Sequence, residues 1–301
     1  MTGAAGFIGS HLAEALAARG DEVVGIDCFT DYYDPALKEQ NARGMEVRRL
    51  DLAEDALDFT GFDGVFHLAG QPGVRSFGDV FPLYLRRNVL ATQRVFETAA
   101  AAGVRVVFSS TSTIYGEAER YPTPEDTPPR PLSPYGVTNL ACEHLALAYG
   151  RSFGLDVVVL RYFSAYGPRQ RPDMAFPRMI GALVGGAPFP LFGDGEQSRS
   201  FTYVLDVVDA TIRAMEGAGR GSILNVGGGE EATMNETIAL LERISGRTLD
   251  VRREPTVLGD QRRTKADTTR IRSELGWEPR TSLEEGLRAQ WEWAASIESP
   301  A

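Results

Sequence analysis

The stretch Gly3-Ala4-Ala5-Gly6-Phe7-Ile8-Gly9 constrains the fold of this chain more than any other. Glycines at this spacing permit a tight turn and a close approach of backbone to an anion. They lead into a helical pattern, Ser10 to Arg19, whose N-terminus suits a pyrophosphate. Spaced glycines alone also describe an ordinary strand-to-helix turn. What tips the reading is Asp27, which ends the next apolar run near the ~20-residue spacing of a ribose-binding acid. An acid there repels a 2′-phosphate, and no arginine follows in Asp27-Cys28-Phe29, so NAD is favoured over NADP. Only Met1-Thr2 precede the loop, whereas a doubly wound sheet needs a strand there, near its centre. The expectation is a shortened or misassigned start, with the first strand missing from the sequence.

The first two-thirds of the chain alternate short apolar runs with helical patterns. Val23 to Ile26, Val65 to Leu68, Val104 to Phe108 and Val157 to Leu160 read as buried strands. Leu12 to Arg19, Pro82 to Ala102 and Tyr135 to Phe153 read as helices between them. Such alternation implies an α/β class with a Rossmann-type, doubly wound parallel sheet. After Arg161 the texture changes to closely spaced turn signals, among them Gly167-Pro168, Gly185-Gly186 and Gly193-Asp194-Gly195. Helices follow at Val204 to Glu216, Met234 to Ile244 and Leu283 to Ile297. The expected division is an NAD-binding domain at 1–163 plus about 201–226, and a smaller lobe of loops and helices at about 164–200 plus 227–301.

Composition removes several functional classes. A formal net charge of −10 over 301 residues disfavours nucleic acid, whose phosphates need clustered Lys and Arg. Arg252-Arg253 and Arg262-Arg263 form only a weak basic cluster, suited to a small anion or solvent. No stretch approaches the roughly 18 apolar residues of a membrane span, and no signal peptide is evident. Cys28 and Cys142 are the only cysteines, which argues against a disulfide framework and for a reducing cytoplasm. His11, His67 and His144 are dispersed, so a metal site is not expected. The only lysines are Lys38 and Lys265.

Phe108-Ser109-Ser110-Thr111-Ser112-Thr113-Ile114-Tyr115-Gly116 runs off a strand end into a hydroxyl-rich loop, where active sites of such sheets lie. Taken alone, a solvated turn explains it as well. It gains weight from Tyr135, which follows Ser133-Pro134 at the start of a helix. Together, Thr2-Gly3-x-x-Gly6-x-x-Gly9, His67-Leu68-Ala69, Asn88, the Ser/Thr loop, the Tyr135 helix and Leu275-Gly276-Trp277-x-Pro279 resemble the extended short-chain dehydrogenase/reductases that act on nucleotide sugars. The resemblance covers essentially the whole chain. Within that family, Asp31-Tyr32-Tyr33-Asp34, Gly73-Val74-Arg75 and the run from Gly167 to Ala175 are similar to signatures of the UDP-glucuronate 4-epimerases.

The resemblance implies a set of roles. NAD would lie against Gly3, Gly6, Phe7, Ile8, Asp27, Asp51, Leu52, Leu68, Ala69, Gln71 and Asn88, and against Tyr135 and residue 139. For Asp51, a simple turn is nearly as good an account. Catalysis would fall to Tyr135 as base and Thr111 as hydrogen-bond partner of the reacting oxygen. Arg75, Thr111, Ser112, Thr113, Ser164, Arg171, Arg199, Asp260 and Arg262 would hold a UDP-sugar, Arg171 gripping the sugar carboxylate. A surface arginine in a polar loop is the other account of Arg171; its motif favours the functional one. Ser164 departs mildly from the family pattern, keeping a hydroxyl. Dehydratases and decarboxylases of this scaffold carry a carboxylate in the loop after Ser110; Thr111-Ser112-Thr113 carries none, which favours C4 epimerisation. A homodimer through 82–102 and 135–153 is the family's expected assembly.

One letter departs from the family more seriously. The tyrosine is normally followed four residues later by lysine, which lowers its pKa; here that residue is Asn139. Asparagine keeps a hydrogen bond and no charge. Lys38 and Lys265 are not expected to reach Tyr135. Two alternatives therefore stand beside UDP-glucuronate 4-epimerisation: a 4-epimerase of a neutral UDP-sugar, and an impaired protein that binds NAD and nucleotide sugar without turnover.

Overall fold

The computed structural model describes residues 1–73, 77–256 and 261–298. In chain order its elements begin with α1 (Phe7–Ala18), β1 (Val24–Asp27), α2 (Pro35–Asn41), β2 (Glu46–Arg49) and β3 (Gly64–His67). A short 3-10 turn (Gly78–Val80) leads to α3 (Phe81–Tyr84), a π-helical segment (Leu85–Leu90) and α4 (Ala91–Ala102). Then come β4 (Arg105–Thr111), a 3-10 turn (Ser112–Tyr115), α5 (Pro134–Ser152), β5 (Val157–Tyr162), β6 (Ser164–Tyr166) and α6 (Ala175–Gly185). The chain continues through β7 (Phe189–Phe192), β8 (Ser198–Tyr203), α7 (Val204–Gly217), β9 (Ile223–Val226), β10 (Glu231–Thr233) and α8 (Met234–Ser245). It ends with β11 (Val251–Glu254), β12 (Arg263–Thr264), α9 (Thr269–Leu275) and α10 (Leu283–Glu298).

β3, β4, β5 and β9 pair in parallel in that order, and β1 pairs in parallel with β2. The two groups are joined by the first residues of the chain. Thr2 bridges Ile26 on one side and His67 on the other, both in parallel. Its N–H donates to the Phe66 carbonyl at 2.9 Å, and Gly3 N–H donates to Ile26 at 2.8 Å. The central position expected to be missing is thus occupied by Met1–Gly3, and the Rossmann order 2-1-(Thr2)-3-4-5-9 is continuous. Fully buried runs such as Val157-Val158-Val159-Leu160 in β5 follow from a sheet covered on both faces. On one face α1 and α7 meet through Leu12, Leu16, Val204, Val207 and Val208. On the other, α4 and α5 bury Val95, Phe96, Ala99, Cys142 and Ala146.

The later segments contain more strand than the turn-rich sequence suggested. β8 pairs with β6, β10 and β12, and β7 pairs with β11. Tyr166, Phe176, Phe189, Phe201, Leu241 and Leu287 fill the separate core beneath them. α8 starts with a capping box in which Thr233 and Glu236 satisfy each other's backbone N–H groups. The Leu275-Gly276-Trp277 signature is a stop and an anchor. Gly276 caps α9 at φ +60°, and buried Trp277 donates its indole N–H to the Asp206 carbonyl at 3.0 Å.

Candidate active site

A cavity of about 740 Å³ opens at the carboxyl ends of β1, β3, β4 and β5, a size that suits a bound small molecule. At one end lie Gly3, Gly6, Phe7, Ile8 and Gly9. Gly3 takes φ +70°, and a Cβ on it would stand 2.8 Å from the Ala69 nitrogen. A Cβ on Gly9 would stand 2.1 Å from the Gly3 carbonyl oxygen, so the first turn of α1 packs directly on the loop. No side chain caps α1, and the first-turn N–H groups are left for an anion at the helix start. Asp27, also in the cavity wall, accepts from Ala5 N–H at 3.1 Å and from Phe29 N–H at 2.9 Å. These contacts fix the carboxylate between the glycine loop and the chain after β1. Asp51 lines the same end and pairs with Arg86 at 2.7 Å; Leu52 is buried beside it.

Leu68, Ala69, Gln71 and Asn88 form the cavity floor. Asn88 lies in the π-helical segment, a form common at functional sites. Its amide accepts from Gln71 N–H at 2.6 Å and donates to Thr138 Oγ1 at 3.2 Å, tying the floor to α5. Beneath it His67 is wholly buried between Thr2 and Thr92, and desolvation holds its pKa down at about 3. A neutral imidazole is therefore a structural link.

At the far end of β4, Thr111 faces Tyr135 across the cavity. Ser133 caps α5 and Pro134 opens its first turn, which fixes Tyr135 at the helix start. Thr111 Oγ1 accepts from Thr113 N–H at 3.2 Å and Thr113 Oγ1 at 3.1 Å, and it hydrogen-bonds the Tyr135 phenol. Asn139 lies one turn on and donates its amide to the Tyr135 backbone carbonyl at 2.9 Å. Burial raises the Tyr135 pKa, opposed by the Arg171 charge and by hydrogen bonds from Thr111 and Asn139. Desolvation wins.

Of the other expected sugar ligands, Ser164, Arg171 and Arg199 line the cavity. Arg171 makes a two-point contact with Asp173, Nε to Oδ1 at 3.0 Å and Nη2 to Oδ2 at 3.1 Å. Ser112, Thr113 and Arg262 are not in the cavity wall. Ser112 is buried, Thr113 turns its hydroxyl onto Thr111, and Arg262 is exposed and paired with Asp194 at 3.0 Å. Arg75 and Asp260 lie outside the described residues.

Sequence reasoning passed over Phe189, Phe192 and Arg178, which line the end of the cavity away from the glycine loop, the Arg178 guanidinium 5.7 Å from the Phe189 ring centre. The apolar run Phe189-Pro190-Leu191-Phe192 was the available signal. It also passed over Lys38 as a wall residue. Its ammonium is held by the Thr30 carbonyl and hydroxyl, both at 2.7 Å, and Lys265 pairs with Glu231 at 3.1 Å. Neither lysine contacts Tyr135 among the described residues. Among the described residues, no helix is long and apolar enough to cross a membrane.

Residues 1–227 match the NAD dependent epimerase/dehydratase family. A Bacillus subtilis protein described as an uncharacterized UDP-glucose epimerase is 41% identical, covering 99% of this chain and 98% of its own. A UDP-glucuronate 4-epimerase of Thermodesulfobacterium geofontis is 35% identical over 98% of this chain and 95% of its own. The crystal structure of UDP-glucuronic acid 4-epimerase from Bacillus cereus with UDP-glucuronic acid and NAD superposes with a TM-score of 0.92 at 38% identity, covering 98% of both chains. The uncapped helix start, the glycine contacts and Asp27 fit the NAD of that family. The chain belongs to the NAD dependent epimerase/dehydratase family.

Proposed function

We propose that this NAD-dependent nucleotide-sugar 4-epimerase interconverts UDP-glucuronate and UDP-galacturonate. NAD, when bound, supplies the acceptor and donor of the C4 hydride, so there is no net redox change. Tyr135 takes the proton of the sugar 4-hydroxyl as C4 is oxidised, and Thr111 hydrogen-bonds the same oxygen. The 4-keto sugar then presents its other face, and Tyr135 returns the proton. The hydroxyl loop offers no carboxylate to drive elimination of water.

The observation that carries the substrate assignment is Arg171, a guanidinium in the wall of the cavity that Tyr135 also lines. Its contact with Asp173 uses Nε and Nη2, and Nη1 is the donor for a sugar carboxylate. Holding the C5–C6 bond close to the plane of the C4 carbonyl, where it cannot overlap the carbonyl π system, opposes decarboxylation of the β-keto acid. Incubation of the NAD-loaded protein with UDP-glucuronate should yield UDP-galacturonate and little UDP-pentose. Arg171→Ala should lower kcat/KM more for UDP-glucuronate than for UDP-glucose; an unchanged ratio refutes the carboxylate role. The 41% identity to a protein described as a UDP-glucose epimerase favours a second reading, a neutral UDP-sugar, which predicts that unchanged ratio.

In this reading residues 1–163 plus about 201–226 hold NAD, and about 164–200 plus 227–301 hold the UDP-sugar, with Phe189 and Phe192 toward the base. Exposed Phe81, Leu85, Val137 and Phe153 on the 81–102 and 134–153 segments support a homodimer through those helices. Leu85→Glu should then give a monomer in sedimentation. Unpaired Cys28 and Cys142 suit a reducing cytoplasm.

A further inference from the structure

Arg171 and Asp173 both line the cavity, two residues apart on the loop between β6 and α6. The backbone turns there, with Met174 N–H donating to the Arg171 carbonyl at 3.1 Å, and the two side chains lie side by side. Arg171 Nε donates to Asp173 Oδ1 at 3.0 Å and Nη2 donates to Oδ2 at 3.1 Å. This is the fork-to-fork arrangement that a free carboxylate would take on the same guanidinium. Asp173 is held from a second side. The Tyr32 hydroxyl donates to Oδ2 at 3.3 Å, and Tyr32 is itself a wall residue.

A sugar carboxylate on Nη1 is therefore the second anion on one cation. We infer that Asp173 sets the preference of this site between acidic and neutral UDP-sugars. Its carboxylate takes the two-point face of Arg171, and its charge weakens the hold on a glucuronate carboxylate. A neutral sugar meets an arginine that is already satisfied and loses nothing. This deepens the 4-epimerase reading proposed above and rests on its placing of the sugar carboxylate at Arg171. Two unit negative charges about 6 Å apart cost about threefold in binding at the dielectric constant of bulk water, and about a hundredfold at an effective value of about 20. The Asp173 side chain is 40% exposed and that of Arg171 26%, so the lower part of that range applies.

The test is equilibrium binding to the NAD-loaded protein carrying Tyr135→Phe, so that bound sugar is not turned over, with UDP-glucuronate and UDP-glucose titrated separately. Asp173→Asn keeps an oxygen for Arg171 and Tyr32 while removing the charge. It should tighten UDP-glucuronate by about three- to tenfold and leave UDP-glucose within about twofold. The gain should shrink as salt rises from about 0.05 M to about 0.5 M. Asp173→Ser serves the same purpose if Asp173→Asn does not fold. A ratio of the two affinities that stays unchanged, or moves toward UDP-glucose, overturns the inference. So does an equal gain for both sugars, because the charge then acts on the shared diphosphate. Arg171→Gln in the same background separates this failure from that of the function proposed above. If it weakens UDP-glucuronate alone while Asp173→Asn changes nothing, Arg171 meets the carboxylate and only the role of Asp173 falls. If it weakens both sugars equally or neither, the placing of the carboxylate at Arg171 falls, and the role of Asp173 with it.

Discussion

Asn139→Lys places a unit positive charge one helical turn from Tyr135, on the side chain that already reaches the Tyr135 carbonyl at 2.9 Å. An ammonium about 5 Å from the phenol oxygen, at an effective dielectric constant of about 20, favours the phenolate by about 3 kcal/mol. That corresponds to about two pKa units. Asn139 is buried, so the new ammonium loses hydration and part of the gain is returned. At pH 7 the rate follows the small phenolate fraction, and kcat should rise between about tenfold and a hundredfold. The sign in pH follows from the burial that raises the Tyr135 pKa. The parent rate should climb with pH across the neutral and mildly alkaline range, and lysine should move that climb to lower pH. Stopped reactions with UDP-glucuronate, resolved by anion exchange between pH 6 and 9, measure both quantities. A kcat within twofold of the parent, with the climb unmoved, would refute the assignment of Tyr135 as a base limited by its ionisation.

Tyr135→Phe should abolish turnover while leaving NAD binding, by fluorescence titration, within a few-fold. Gly9→Ala sets a methyl against the Gly3 carbonyl, so NAD affinity should fall and thermal stability should drop by about 1–3 kcal/mol. Glu143→Ala strands the Arg161 guanidinium, which otherwise contacts Glu143 at 2.7 Å in full burial, and urea unfolding should show a loss of about 3–5 kcal/mol. Glu231 accepts from Arg263, Lys265 and Ser198, and Arg263 above all lowers its pKa to about 2. Its stabilising effect is present above the unfolded carboxyl pKa, about 4.3, and fades as pH falls toward about 2. Glu231→Gln should therefore lower Tm at pH 7, and the difference should shrink through that window.

The sheet was legible because its strands are buried on both faces and so appear as unbroken apolar runs, as in Val157 to Leu160. The helices were legible from their patterning and, at α5, from Ser133-Pro134 ahead of it; the Thr233–Glu236 capping box that opens α8 was not read. Met1–Gly3 were too short to read as a strand, and only their two-sided pairing with Ile26 and His67 shows their place. The strands β10 and β12 span three and two residues, too few for a period to register. Within the site, Gly3, Asp27, Thr111 and Tyr135 follow local rules of turn and strand end. Arg178 over Phe189, and Asp173 with Tyr32 around Arg171, bring together side chains from separate segments, which no local pattern encodes. Thr113 reads like its neighbour Thr111, yet the turn after β4 aims its hydroxyl at Thr111 instead of the cavity.

The loop that carries Arg171 is also sewn to the helix that opens at the glycine loop. His11 Nε2 meets the Pro168 carbonyl at 2.9 Å, and Arg169, at φ +62°, pairs with Glu14 at 2.7 Å. Both partners project from α1, and Tyr32 adds the third stitch to Asp173. A dinucleotide pulling on the start of α1 therefore pulls on the segment proposed to meet the sugar. Any coupling these stitches carry is reciprocal: the factor by which a bound nucleotide sugar tightens the dinucleotide must equal the factor by which the dinucleotide tightens the sugar. An enzyme that must keep one cofactor through two opposite half-reactions gains retention from such a seam without a single added contact to the cofactor itself.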